Sequence, residues 1–181
     1  MSRFETFMRP MGQWPDLEMV YMNIELKQYV DTIQCQRLVE NYQLSDLTFT
    51  GSPQSVIEKA KRDHDRVPVM IINDDQLAGF FCLHLYQGPL EIGGCADTDV
   101  LLRALSIDER FRGQGISLAA MKLVPAFVKA HFPYVTRIIL AVNYRNIPAQ
   151  HLYQKAGFHD TGIQRVGKIG PQYVLFKMIN A

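Results

Sequence analysis

Cysteine is scarce in this chain: Cys35, Cys82 and Cys95 are the three among 181 residues. Their odd number, wide spacing and lack of a C-x-x-C pair exclude a closed disulfide framework and a cysteine-based zinc knuckle. They fit a reducing compartment. No apolar run approaches the ~20 residues that a membrane-spanning helix needs. Residues 1–16 carry Arg3, Glu5, Arg9, Pro10, Pro15 and Asp16, and lack the uninterrupted apolar stretch of a secretory signal. Charge of one sign is missing as well. Lys and Arg total 19 against 18 Asp and Glu, a formal net charge of +1. That gives no support for whole-surface binding of nucleic acid or membrane. The expectation is a cytoplasmic protein with neither kind of partner; a homodimer through the last strands is left open.

What is present is ordinary globular material, 48% hydrophobic and 20% charged. A chain this long buries about 70% of the surface its unfolded form exposes, so it needs no disulfide or metal to hold a core. No repeat, low-complexity tract or linker divides it, and residues 1–181 read as one domain. Residues 1–20, broken by Pro10, Gly12 and Pro15, are the least readable part.

Residues 20–26 alternate as a first strand, and 27–42 read as a helix with Tyr29, Val30, Ile33, Leu38 and Val39 on one face. Ser52 and Pro53 supply an N-cap and a first helical position for a second helix to about residue 64. Residues 67–72 and 77–86 form a hairpin around Asn73-Asp74-Asp75-Gln76. Gly88-Pro89 and Gly93-Gly94 break the chain before a strand over 99–107. A helix over 114–131, kinked at Pro125, follows. Then come a strand at 137–142, a helix at 147–156, and strands at 158–166 and 172–179. This order predicts a mixed α/β domain, one central sheet with helices on both faces.

The chemistry concentrates where the 99–107 strand enters the next helix, at Asp108-Glu109-Arg110-Phe111-Arg112-Gly113-Gln114-Gly115-Ile116-Ser117. Two glycines let the backbone take positive φ and admit a ligand without a Cβ in the way. The free N–H groups and dipole of the following helix, with Arg110 and Arg112 nearby, suit a diphosphate. A P-loop requires Gly-Lys-Ser/Thr, but Ile116 follows Gly115. A dinucleotide fingerprint requires a third glycine, where Leu118 stands.

Arg110-x-x-Gly113-x-Gly115 resembles the Q/R-x-x-G-x-G/A signature of the GCN5-related N-acetyltransferases. Asn146-x-x-Ala149-x-x-Leu152-Tyr153-x-x-x-Gly157-Phe158 is similar to a second segment of that family. The resemblance covers about residues 99–158. It implies a mostly antiparallel sheet splayed between strands four and five, often with a bulge in the fourth, and acetyl-CoA as co-substrate in the gap. Leu105 and Ile107 would then pair their main chains with the pantetheine arm, and an N–H near Leu105 would stabilise the oxyanion. Arg112, Gly113, Gln114, Gly115, Ile116 and Ser117 would cradle the pyrophosphate.

By the same resemblance, Asn146 reaches the pantetheine; by its position alone it is an N-cap. Tyr153 would protonate the departing thiolate, or else simply pack on the sheet. Asp99 lies where some family members carry a glutamate base, with Asp97, Glu91 and His84 as alternatives and a solvated strand-end charge as the plain reading of each. Asp108 and Glu109 read as turn residues or partners of Arg110. His131, His151 and His159 lack metal-ligand spacing, so no metal is expected. The activity implied is N-acetyl transfer to a primary amine by direct attack in a ternary complex. Trp14, Tyr42, Phe49, Asp97 and Asp99 hint at an aromatic, acidic pocket for a small cationic amine. A non-catalytic CoA-binding module and a protein acetyltransferase are the alternatives.

Overall fold

The computed structural model describes residues 23–179. Seven strands form one sheet in the order β1-β2-β3-β4-β5-β7-β6. They are β1 (Ile24–Gln28), β2 (Arg66–Asn73), β3 (Gln76–His84), β4 (Asp99–Ile107), β5 (Arg137–Asn143), β6 (His159–Gly167) and β7 (Gly170–Met178). Every neighbouring pair is antiparallel except β4 and β5. The helices are α1 (Ile33–Glu40), α2 (Pro53–Arg62), the single turn α3 (Gln87–Leu90), α4 (Ile116–His131) and α5 (Ile147–Lys155). None among the described residues is long and apolar enough to cross a membrane.

The period-two alternation of β2 and β3 sorts the core onto two faces. Val69, Ile71, Phe81 and Leu83 pack with Ile116, Ala120, Met121 and Val124 of α4 and Tyr153 of α5. Met70, Ile72, Phe80 and Cys82 pack with Val39, Val56 and Ile57 of α1 and α2. Each large side chain fully buried this way contributes ~1.5–3 kcal/mol. Helices thus cover both faces, as the element order predicts.

The first helix is shorter than its apolar pattern predicts. Tyr29 prolongs the sheet ladder by donating its N–H to Pro68 O at 2.9 Å. Thr32 then starts α1 by accepting from Cys35 N at 3.3 Å. Val30 and Ile33, spaced for a buried face, are exposed. Gly88-Pro89 lies within α3 rather than ending structure there. At Ser52 the cap is as expected, its hydroxyl accepting from Ser55 N at 3.2 Å. The chain runs through Pro125 as one helical element.

Candidate active site

The two parallel strands touch only at one end. Asp99, Val100 and Leu101 pair with Arg137, Ile138 and Ile139, and there the ladder stops. β4 continues to Ile107 alongside β3, and β5 continues to Asn143 alongside β7. Past Leu101 and Ile139, their facing edges carry backbone donors and acceptors with no strand partner. Such groups demand a partner from water or a ligand.

A bulge in β4 bends the strand. Arg103 pairs with Cys82 and Ser106 with Phe80, so Ala104 and Leu105 together stand opposite Phe81. Ala104 takes φ +56°, a left-handed conformation costly for a residue with a Cβ. Leu105 and Ile107 follow it directly, both partly buried against the core.

Asp108 anchors the loop beyond. Its wholly buried carboxylate accepts from Gln43 N at 2.9 Å, from Arg110 N and Nε at 2.9 Å each, and from Arg110 Nη2 at 2.7 Å. Burial pushes this carboxyl up, but the bonds from Arg110 and Gln43 outweigh it and hold it below the usual carboxylate range. Arg110 also donates to Asn41 O at 3.1 Å, and Glu109 accepts from Ser45 N and Oγ at 2.7 and 2.6 Å. The α1–α2 connection is therefore lashed to the glycine loop. Arg110 is spent on this scaffold. Arg112 is exposed and makes no ion pair among the described residues.

Gly113 and Gly115 take φ +76° and +79°. A Cβ at Gly113 would meet nothing within 4 Å, so glycine serves there for conformation and not for packing. Gly115 is the N-cap of α4 and supplies no side chain to its first N–H groups. Buried Ile116 fixes that helix end to the core, leaving Gln114 exposed and Ser117 half-buried.

Across the gap, the turn from β5 into α5 is held rigidly. Gln150 Nε2 donates to Asn143 O at 3.0 Å and Tyr144 O at 2.9 Å. Asn146 is an N-cap whose side chain accepts from Ala149 N at 3.2 Å, which leaves its amide nitrogen free to donate. Tyr153 is buried against Phe158, ring edge to face at 5.6 Å. Its hydroxyl has no hydrogen-bond partner among the described residues, and burial raises its pKa well above the ordinary phenol value. It stays protonated, a donor without an acceptor.

Asp99 occupies the closed end of the gap. Arg137 donates Nε to Oδ1 at 2.9 Å and Nη2 to Oδ2 at 2.6 Å, and Cys95 N donates to Oδ2 at 2.7 Å. At 1% exposure, this carboxylate clamps β4 to β5. That geometry belongs to a structural pair and leaves no oxygen waiting for a proton. Asp99→Asn is expected to lower the melting temperature while leaving the pH–rate profile of the folded variant unmoved. A base role would instead abolish the acidic limb of that profile.

The acidic, aromatic pocket expected from the sequence is corrected here in two members. Tyr42 is a core residue, its hydroxyl 2.9 Å from Ser106 Oγ, because α1 ends against β4; Asp99 is the clamp just described. Phe49 and Asp97 are exposed, and Trp14 lies outside the described residues. Glu91 and His84, two of the three alternative proton acceptors, do come together. Arg103 Nη1 of β4 stands 3.0 Å from both His84 Nδ1 and Glu91 Oε1. Desolvation, with Arg66 and Arg103 adding to it, lowers the His84 pKa.

A cavity of about 250 Å³ opens beside the clamp, walled by Ile92, Arg137, Ile139, Ile163, Val174 and Phe176. Sequence spacing gives no sign of it, since it joins three strands and the turn after α3.

Comparison with known proteins agrees with this geometry. Residues 32–158 match the model of the acetyltransferase (GNAT) family. "Uncharacterized N-acetyltransferase YbbJ" of Bacillus subtilis strain 168 is 43% identical over 130 residues, 72% of this chain and 81% of that protein. The spermine/spermidine N(1)-acetyltransferase of the same strain is 28% identical over 141 residues, 78% and 91% of the two chains. Among solved structures, AAC(6')-Ib in complex with paromomycin and acetyl-CoA superposes with a TM-score of 0.65 at 13% identity, covering 86% of this chain and 93% of that one. Spermidine N-acetyltransferase from Vibrio cholerae, in complex with CoA and spermine, gives 0.59 at 14% identity, covering 86% and 95%. A sheet parted between two parallel strands, a glycine loop at its open end and a family match over most of the chain lead to one assignment: this chain belongs to the GNAT acetyltransferase family.

Proposed function

We propose that the protein transfers the acetyl group of acetyl-CoA to a primary amine of a small molecule by direct attack. The observation that carries this reading is the pair of unpartnered backbone edges beyond Leu101 and Ile139, ending at the uncapped start of α4. An amide-bearing pantetheine arm satisfies such edges as an added strand, through Leu105 and Ile107 of β4. Its pyrophosphate meets the amides from Arg112 to Ser117, with the Arg112 charge and the α4 dipole behind them. The free amide nitrogen of Asn146 adds a donor from the β5 side.

The amine nitrogen gives up a proton and attacks the thioester carbon. An N–H beside Leu105, at the bulge, stabilises the developing oxyanion. The C–S bond then breaks, and Tyr153 passes its proton to the departing thiolate. The proton lost by the amine restores the phenol through solvent, so the step balances. With Asp99 committed to Arg137, the proton acceptor is solvent or the more exposed Glu91. The cavity against Ile139 gives the acceptor an apolar wall next to the last paired residue of β5.

Release of free thiol from acetyl-CoA, followed with polyamines, aminoglycosides, amino acids and simple aromatic amines, tests the reading. Turnover is expected with at least one small amine. Turnover only on a peptide lysine or N-terminus, or on nothing while CoA still binds, would overturn it.

A further inference from the structure

Alternation along β5 sends Ile138, Leu140 and Val142 into the core under α4, so Ile139 and Ala141 stand on the opposite face. On that face α1 and α2 pack over β2 and β3. Beyond them Ile139, Ala141, Val174 and Phe176 form a separate apolar cluster with Ile92 and Leu101. Part of this cluster walls the cavity of about 250 Å³ described above. Ile139 is the last residue of β5 paired with β4, and Ala141 lies past that point, beside the gap. The cavity and the thioester seat therefore share one strand face. Resting on the acetyl-transfer reading above, we infer that the acceptor is a primary monoamine with a single apolar body, alkyl or arylalkyl. The body lies in this cavity while the nitrogen reaches the gap.

The wall is apolar where such a body would lie. Ile92, Ile139, Ile163, Val174 and Phe176 present hydrocarbon. Gly94 lets the turn after α3 close one side: a Cβ there would strike Ile139 Cδ1 and stand 2.8 Å from Asp99 Oδ2. The polar side chains of the wall are already engaged. Thr161 Oγ1 donates to Val174 O at 2.8 Å and accepts from Ile163 N at 3.0 Å. Arg137 is the charged side chain of the wall, and its Nε and Nη2 are both held by Asp99. An apolar cavity of about 150 Å³ takes up benzene, so this volume holds a phenyl ring on a short linker.

The same wall rejects a polyamine. A second ammonium drawn into the cavity meets no free carboxylate among the described residues that line it. Asp99, the acid behind the wall, is already bonded by Arg137 and by Cys95 N. Glu91 is turned to Arg103, at 3.0 and 3.1 Å. Asp160 of β6 is paired with Leu175, which packs on the α4 side, and its Oδ1 accepts from Gly162 N at 2.9 Å. Asp97 is exposed and is no part of the wall. An ammonium buried without a partner is costly, and the Arg137 charge adds repulsion. A methylene buried in the same place strengthens binding ~4-fold instead.

The test uses the full chain with acetyl-CoA and follows release of free thiol. From ethylamine to hexylamine, kcat/KM is expected to rise roughly fourfold per methylene. Phenethylamine is expected to exceed spermidine and 1,4-diaminobutane by at least ~100-fold in kcat/KM. Ile163→Trp, at a rim position 43% exposed, fills the cavity. Its KM for phenethylamine should rise at least ~10-fold, while CoA affinity by calorimetry stays within about twofold. Ile163→Glu supplies the missing carboxylate. It should shift the kcat/KM ratio of 1,4-diaminobutane to pentylamine at least ~10-fold toward the diamine. Preference for a polyamine or aminoglycoside, no dependence on chain length, or an unchanged KM in Ile163→Trp would each overturn this inference and leave acetyl transfer to a small amine in place. No turnover of any amine by a chain that binds CoA would overturn both.

Discussion

Tyr153→Phe is expected to lower kcat by about 10²-fold or more, while affinity for CoA changes by no more than about twofold. The variant removes one oxygen from a ring that remains packed on Phe158. The fold has little to lose, because that hydroxyl bonds to nothing among the described residues. The reaction has much to lose. A departing thiolate with a conjugate pKa of ~8.5 leaves faster when a proton meets it, and a hundredfold loss corresponds to about 2.7 kcal/mol of transition-state stabilisation. Steady-state kinetics with saturating acetyl-CoA would show the drop in kcat. An unchanged kcat would give the role to solvent and leave Tyr153 as a packing residue.

Asp108→Ala is expected to carry the largest stability cost in the site. The substitution strands the Arg110 guanidinium and the Gln43 N–H, which converge on a carboxylate with no exposure at all. Arg110 is exposed and regains water, so the cost is that of the lost charge-assisted bonds and the stranded Gln43 N–H, about 2 kcal/mol, or roughly 4–8 °C in melting temperature at this chain length. The loop from Glu109 to Gly115 loses its anchor with it, so affinity for CoA falls as well. Because the Asp108 pKa is held below its unfolded value, its contribution is complete above about pH 4 and disappears as pH drops through the folded pKa. The difference in melting temperature between wild type and variant should therefore be constant from pH 7 to about pH 4 and narrow as pH falls below that. A difference that stays constant or widens below about pH 4 would place the stabilisation elsewhere.

Much of this was legible from spacing alone. β4 has the bounds the sequence predicts, because polar turns flank a run of apolar and branched residues at 99–107. The glycine loop was visible because Gly113 and Gly115 do a backbone job that other residues perform poorly. The α5 segment was visible from its family pattern. Less legible were features made by residues distant in the chain. Nothing near Asp99 in sequence signals Arg137, 38 positions away, which turns a carboxylate at a strand end into a clamp. Likewise, Asp63 and His84 meet only once β2 and β3 fold back on each other. The bulge rests on an alanine in a left-handed conformation, for which alanine gives no local sign. Helix α1 misleads in the opposite direction: Val30 and Ile33 copy a buried helical face, yet the sheet ladder captures Tyr29 first.

The central claim is that the parted edges of β4 and β5, with the amides at Gly113 and Gly115, form a seat for a thioester carrier. Isothermal titration calorimetry of the folded chain with coenzyme A tests it most directly. One-to-one binding with a dissociation constant in the micromolar range is expected, about −8 kcal/mol, and pantetheine and phosphopantetheine, which lack the pyrophosphate, should bind far more weakly than the whole molecule. No heat with coenzyme A, or equal heat with fragments that lack the pyrophosphate, would contradict it.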